Sequence, residues 1–415
     1  MKLLHNLFVT AAVAFLWRRP LVKRLSIPCR TSSLMKTAIP KFRIWPTIAI
    51  ANQISEPWRL LPEFGNWSLT GWAEAGYTTS ADSPSSRFVR PVGLNDREDG
   101  QLNQLYAILE RPLDTDGCWD IGGRVDLLYG TDARFSEVRG LELRRDGSNH
   151  WNSRTFYRLA VPQMYAEFGN DNLSVKVGHW YTTIGYEVVP AVGNFFYSRA
   201  YTMMYAAPFT HTGVIGTYSY SDQLSFYGGI HNGWNNFDAT TNRGSMLTGF
   251  NWTRCDEKLG VALSMTTGDE INNQSVYSER TLFSLVVNYH LTCDLEYVFQ
   301  HDNGWQEDDG GANVDAEWYG INQYLLYTIN DCWRAGCRVD WFRDDDGVRV
   351  SDAFGNSGFA GNFYNATLGL VWTYCPNLTI RPEVRWDWYD GVGLPYDDGT
   401  KDDQFTAAVD ATILF

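Results

Sequence analysis

Four charged residues alternate with apolar residues close to the C-terminus. Arg381, Glu383, Arg385 and Asp387 follow one another at every second position, in the sequence RPEVRWD. Successive side chains of a β-strand point to opposite faces, so this spacing predicts a strand with its charges on one face and apolar side chains on the other. Such a row is costly in a dry core, but in water it can orient polar solutes and screen ions. The pattern therefore indicates a strand between water and lipid.

The same alternation recurs along the chain. It is present in WRAGCRVDWF at 333–342 and in CWDIGGRVDLLYG at 118–130. It returns in the final segment, QFTAAVDATILF, which ends on Phe415. An alternating strand closed by an aromatic residue resembles the C-terminal signal of bacterial outer-membrane barrels. We therefore predict that Phe415 is an assembly signal read by the barrel assembly machinery.

The alternation also predicts which charged side chains face the aqueous interior and line a pore. Arginines near the C-terminal strands would form a basic ladder opposed by carboxylates, and this field would act on passing solutes. The alternative is a set of neutralised ion pairs that only hydrate the wall. The predicted inward residues are Glu74, Arg124, Asp126, Glu167, Lys176, Glu296, Arg338, Asp340, Arg381, Glu383, Arg385, Asp387 and Asp410.

Sixteen amphipathic runs of roughly ten residues follow residue 67, separated in turn by short and long breaks. The predicted strands are 67–79, 102–112, 118–129, 159–169, 172–181, 209–220, 223–233, 245–254, 258–267, 279–291, 293–303, 316–329, 333–343, 361–374, 378–389 and 404–415. We predict an all-β fold, a closed antiparallel transmembrane β-barrel of about 16 strands with short periplasmic turns and long outer loops. The long breaks include 268–278 and 304–315. A propeller is disfavoured because no blade repeat is evident.

The segment at 182–208 differs from the other long breaks because it is aromatic and carries only two charges. We predict that it folds into the barrel and narrows the pore, because an apolar surface of this size is poorly suited to free solution. The alternative is that it covers the barrel mouth or a neighbouring subunit. The predicted constriction residues are Tyr186, Glu187, Phe195, Phe196, Tyr197, Arg199 and Tyr201. They should lean on Trp72, Trp180 and Tyr227, and the opening left should face Arg338, Arg381 and Arg385.

Charge is divided unevenly between the start of the chain and the rest. The first 55 residues hold nine of the 34 basic residues and none of the 48 acidic residues. We interpret residues 1–51 as an export signal or a wrongly assigned start, with 52–66 as a short lead-in and 67–415 as the barrel. An acidic body repels phosphates, which argues against nucleic-acid binding.

No residue pattern predicts catalysis, a metal site or a cofactor. The histidines are scattered and no G-x-S-x-G motif is present. The acidic segments at 302–317, 344–352 and 397–403 do not match a calcium-binding loop and are predicted to be solvated outer loops. Cysteines at predicted turns favour free thiols over disulfides, because successive hairpin turns lie about 10 Å apart. These cysteines are Cys118, Cys255, Cys293, Cys332 and Cys375.

Three segments and the terminal strand carry a family resemblance. Residues 56–79, 175–198 and 211–238 resemble the beta-barrel porin 2 (OmpL-like) family of planctomycete-type bacteria. The resemblance implies a Gram-negative outer-membrane porin that contacts lipid and passes small hydrophilic solutes or ions by passive diffusion. A scaffold or adhesion barrel without a conducting pore is the main alternative, and a barrel hydrolase is a weaker one. The sequence leaves open whether the barrel is a homo-oligomer.

Overall fold

A computed structural model describes residues 58–91, 93–152, 156–239, 243–271, 276–311, 314–351 and 358–415. The predicted export segment and residues 52–57 of the lead-in lie outside the described residues. No helix in these ranges is long and apolar enough to cross a membrane.

Sixteen antiparallel strands close into one barrel. The strands are β1 (Ser68–Ser80), β2 (Gly100–Arg111), β3 (Asp120–Gly130), β4 (Arg158–Gly169), β5 (Leu173–Tyr181), β6 (Thr210–Ser221), β7 (Leu224–His231), β8 (Ser245–Thr253), β9 (Leu259–Ile271), β10 (Tyr277–His290), β11 (Leu295–Gly311), β12 (Val314–Thr328), β13 (Trp333–Asp344), β14 (Gly361–Cys375), β15 (Leu378–Gly391) and β16 (Asp403–Leu414). Each strand pairs with its neighbours in the chain, and β1 pairs with β16. Because the sheet closes on itself, no strand is left with unpaired backbone N–H and C=O groups along one edge. The closed sixteen-strand antiparallel barrel confirms the predicted fold class.

Two of the predicted outer loops are instead continuations of strands. β9 continues to Ile271, and β11 continues to Gly311, which pairs with Val314 at the start of β12. The predictions of loops at 268–278 and 304–315 were therefore wrong for most of their length. The charged residues of these segments do not end the strands, because beyond the lipid both faces of a hairpin can meet water while its backbone hydrogen bonds persist.

The two faces of the wall follow the alternation. In β16, Phe405, Val409 and Ile413 are 46%, 40% and 45% exposed, whereas Thr406 and Asp410 between them are buried. The apolar set faces outward, where lipid covers it, and the polar set faces the interior. The wall therefore presents its hydrogen-bonding groups to whatever fills the barrel.

Candidate functional site: the barrel interior

The connection between β5 and β6, residues 182–209, crosses the barrel interior. It contains two short helical turns, Ala191–Gly193 and Thr202–Ala206. Its side chains and backbone contact inward residues of β1, β2 and β11 to β15, strands that are not adjacent to its own β5 and β6. We call it the crossing segment. Phe196, Tyr197 and Tyr201 are at most 2% exposed, so its aromatic side chains are covered.

Arg381 of β15 anchors the first part of the crossing segment. Its guanidinium donates hydrogen bonds of 2.8 Å to the carbonyl oxygens of Ala191 and Asn194. The same group pairs with Asp410 and, at 2.9 Å, with Glu74. Backbone carbonyl groups away from water need donors, and a charged guanidinium is a strong one.

Arg338 of β13 anchors the middle of the crossing segment. It donates to the Ser198 carbonyl oxygen at 2.8 Å and pairs at 2.8 Å with Glu187, which belongs to the segment itself. Its guanidinium carbon lies 5.1 Å from the ring centre of Phe196, within cation–π range. One wall residue therefore binds the segment through backbone, charge and ring.

Arg385 of β15 completes the row of arginine contacts. It donates to the Arg199 carbonyl oxygen at 2.6 Å and is paired with Asp387. Asp387 in turn accepts a 2.9 Å hydrogen bond from the Tyr201 hydroxyl, which also lies 2.8 Å from the Tyr396 hydroxyl of the outer β15–β16 connection.

Two carboxylates of the same wall hold backbone N–H groups of the segment. Glu383 accepts from the amides of Tyr197 at 2.9 Å and Ser198 at 3.1 Å, and Asp340 accepts from the Tyr201 amide at 3.1 Å. Donors and acceptors therefore alternate along the wall to match the segment's carbonyl and amide groups.

Neutral amide side chains complete the anchoring, and the sequence interpretation missed them. Gln104 accepts from the Ala191 amide at 3.0 Å and donates to the Val189 carbonyl at 2.7 Å. Gln300 accepts from the Tyr186 amide at 2.9 Å. Both glutamines occupy inward positions of their strands, so the alternation could have identified them had it not been applied to charges alone.

Apolar packing adds to these bonds. The Tyr186 ring lies 4.8 Å from that of Tyr324, and Phe195 and Phe196 join the same buried cluster. The predicted neighbours also pack with the segment: Trp72 shares a cluster with Val189 and Ala191, and Trp180 and Tyr227 share one with Ile184 and Tyr201.

The opening expected beside Arg338, Arg381 and Arg385 is not present, and this prediction was wrong. Nine of the predicted inward charges are at most 6% exposed, and one of the nine is Asp126 of β3. The other eight are grouped around the crossing segment: six bond to it directly, and two bond to Arg381. These residues are Glu74, Arg338, Asp340, Arg381, Glu383, Arg385, Asp387 and Asp410. We call them the anchoring wall.

The remaining predicted inward charges lie away from the anchoring wall. Arg124 and Asp126 pair at 2.7 Å on β3. Lys176 of β5 stands opposite Glu167 of β4. Its ammonium group lies over the ring of Tyr165, which also belongs to β4. Glu296 of β11 borders a cavity. A pore-lining role for these side chains stays a prediction.

This cavity, of about 320 Å³, lies between the start of the crossing segment and the periplasmic ends of β8 to β11. Thr183 and Tyr186 form its segment side, and Asn251 and Asn288 lie on its wall side. Among the described residues that line it, Glu257 and Glu296 are carboxylates and none is Lys or Arg. The two carboxylates therefore make the cavity electronegative, although apolar side chains such as Val261 and Val286 also line it.

Cysteines and possible metal ligands form no further site within the described ranges. Cys118, Cys255, Cys332, Cys337 and Cys375 are unbridged thiols. Cys293 is disulfide-bonded, so the prediction of a free thiol was wrong at this position. Within those ranges, no three His, Cys, Asp or Glu side chains are grouped so as to hold a metal ion. Phe415 exchanges two 2.9 Å backbone hydrogen bonds with Gly71, and its role as an assembly signal stays a prediction.

The sequence comparison identifies the family. Residues 66–415 match the family described as "Putative beta-barrel porin-2, OmpL-like". The chain belongs to this family. It is therefore a barrel of the bacterial outer membrane, related to porins. No curated protein matches the chain significantly.

Solved structures similar to the barrel are outer-membrane proteins. The channel DcaP of Acinetobacter baumannii is 12% identical, with a TM-score of 0.55 over 84% of this chain and 97% of that one. The anion-selective porin of Comamonas acidovorans is 10% identical, with a TM-score of 0.57 over 84% and 99%. OmpT of Vibrio cholerae is 11% identical, with a TM-score of 0.54 over 86% and 100%. At these identities the similarity describes the fold.

Proposed function

We propose that this protein is a porin through which small hydrophilic solutes diffuse passively, and that the crossing segment narrows its pore. The observation that carries the proposal is the anchoring of the segment. Its backbone is bonded to side chains of β2, β11, β13 and β15, none of which is adjacent to β5 or β6. A barrel of about 16 strands without such a filling would hold an aqueous channel.

The solute path in this proposal runs on the other side of the segment. The 320 Å³ cavity lies beside β8 to β11, where Asn251, Asn288 and Glu296 offer hydrogen bonds to water or a polar solute. These polar groups stand among apolar side chains such as Val261 and Val286, and such a mixed lining suits weak, non-specific passage, because a pore must release what it admits.

Single-channel conductance in planar bilayers tests both parts of the proposal. The wild-type protein should conduct, and removal of residues 191–204 should raise conductance several-fold and admit larger solutes. Shortening the exposed turn at 144–147 of the β3–β4 connection is the matched control and should leave conductance unchanged.

Two outcomes would count against the proposal. A folded wild-type barrel that never conducts would favour the scaffold alternative. An unchanged conductance and size limit after the 191–204 deletion would mean that the segment is not the constriction. The homo-oligomer that the sequence leaves open stays a prediction.

A further inference from the structure

Two arginines contact the same tryptophan ring inside the outer mouth of the barrel. Arg280 is an inward residue near the outer end of β10, and Arg349 belongs to the β13–β14 connection. Their guanidinium carbons lie 4.9 Å and 5.6 Å from the ring centre of Trp234, and that of Arg349 lies 4.7 Å from the ring centre of Trp318. The rings hold both guanidinium groups by cation–π contact in one place.

Each of these arginines uses only its Nε–H for a hydrogen bond to a described residue. Arg280 donates from Nε to the Gln306 side chain at 2.7 Å, and Arg349 donates from Nε to the Tyr205 carbonyl oxygen at 2.8 Å. Within the described ranges, neither has a carboxylate within 4.0 Å. The terminal N–H groups, which form the fork that binds carboxylate or phosphate, are therefore unused.

Three carboxylates lie in this region: Asp309 and Glu270, which attract both guanidinium groups, and Asp344, which attracts Arg349. Two of the three accept backbone amides. Glu270 accepts the Trp234 amide at 2.5 Å. Asp344 accepts the amides of Val348 at 3.1 Å and of Arg349 and Val350 at 2.8 Å. These contacts fix the local structure and hold both carboxylates more than 4.0 Å from the two guanidinium groups.

The contrast with Arg381 and Arg385 defines the site. Those guanidinium groups are buried and bonded to carboxylates and carbonyl oxygens, whereas Arg280 and Arg349 are only half-buried and keep their terminal N–H groups free of described acceptors. Two like charges held close together and partly removed from water repel each other unless an anion joins them.

We propose that Arg280 and Arg349 form a binding site for an oxyanion, the carboxylate of a small solute, at the outer mouth. The inference rests on the proposed function and deepens it, because it gives a negatively charged class of solute. A guanidinium group binds carboxylate and phosphate in the same way. Because Arg280 points into the barrel, we assign the site to a solute in the mouth and not to the phosphate of a surrounding lipid.

Calorimetric titration of the folded barrel in detergent with citrate, a tricarboxylate probe, tests the site. We expect saturable binding by the wild type and at least tenfold weaker binding by Arg280→Gln and by Arg349→Gln. Arg254→Gln is the matched control, because Arg254 is an exposed arginine in the periplasmic β8–β9 turn, paired with Asp256. Tetramethylammonium should not bind to any of the four proteins.

Several outcomes would overturn the proposal. They are no citrate binding by the wild type, equal binding by the arginine variants, or binding of glycerol phosphate, a soluble lipid headgroup, without binding of citrate. Heat-modifiable migration shows whether each Gln variant folds. If one does not, citrate binding is measured on Arg280→Lys and Arg349→Lys instead. They keep the charge but lose the planar fork, so weaker citrate binding supports the site and unchanged binding contradicts it.

The same proteins in planar bilayers separate this inference from the proposed function. Citrate binding that depends on both arginines in a barrel that never conducts would remove the porin function and leave the site. Conductance without citrate binding would remove the site and leave the porin.

Discussion

Two walls of the same barrel use charged side chains in opposite ways. On the anchoring wall, Arg381 and Arg385 are buried, paired with carboxylates and bonded to carbonyl oxygens of the crossing segment. On the wall of β8 to β11, Glu257 and Glu296 border a cavity, and Arg280 at the outer mouth has no close carboxylate among the described residues. The strand pattern is the same on both walls, so the difference arises from what each wall contacts.

The comparison teaches that an inward charge in a wide barrel is not necessarily a charge that meets solute. A backbone that crosses the lumen carries amide and carbonyl groups that need partners, and side chains of the wall supply them where the segment lies. Only the wall that the segment leaves uncovered can act on a solute.

Breaking the anchoring wall should give the largest effect. Arg381→Ala removes the partner of Glu74 and Asp410 and leaves two buried carboxylates unpaired, together with the carbonyls of Ala191 and Asn194. We expect the free energy of unfolding to fall by about 3–5 kcal/mol, measured from denaturant midpoints of the folded barrel.

The control for this variant is Arg254→Ala, which removes an exposed arginine–aspartate pair. Solvent screens such exposed pairs, so its unfolding midpoint should stay close to that of the wild type. Equal losses in the two variants would contradict the assignment of Arg381 to a buried anchor.

The sequence predicted the barrel far better than the use of its interior. Strand alternation and the ending on Phe415 depend only on local pattern, and all sixteen strands were placed within a few residues except at the outer ends of β9 and β11. The contact of Arg381 with Ala191 joins positions 190 residues apart, and no local pattern specifies such a contact. Gln104 and Gln300 were missed because they are uncharged, although their inward placement was readable.

Changing the uncovered wall should alter selectivity and leave stability unchanged. We expect Glu257→Gln with Glu296→Gln to lower the permeability of cations relative to anions two- to threefold, because the cavity loses both of its carboxylates. The reversal potential under a salt gradient measures this ratio. The free energy of unfolding should change by less than about 0.5 kcal/mol, since neither carboxylate forms an ion pair with a described residue.

The matched variant is Glu383→Gln on the anchoring wall. Its carboxylate is covered by the crossing segment, so we expect little change in reversal potential and a measurable loss of stability. A selectivity change as large as that of the cavity variant would contradict the distinction between the two walls.

The smallest expected effect concerns an outer-loop carboxylate that resembles Glu383, because it also holds two backbone amides. Glu142 accepts the amides of Val138 at 3.0 Å and Val161 at 2.7 Å, and burial raises its pKa from 4.5 to about 7. A raised pKa in the folded state means that the proton binds more tightly there, so the stabilisation is fully present below pH 4.5 and is lost as the pH rises through 7.

We therefore expect hydrogen exchange at the Val138 amide, corrected for its intrinsic pH dependence, to be several-fold slower at pH 5 than at pH 8. Glu142→Gln should abolish this difference, because a neutral amide cannot titrate. If the pH dependence persists in that variant, another group controls the loop, and the resemblance to Glu383 does not extend beyond hydrogen-bond geometry.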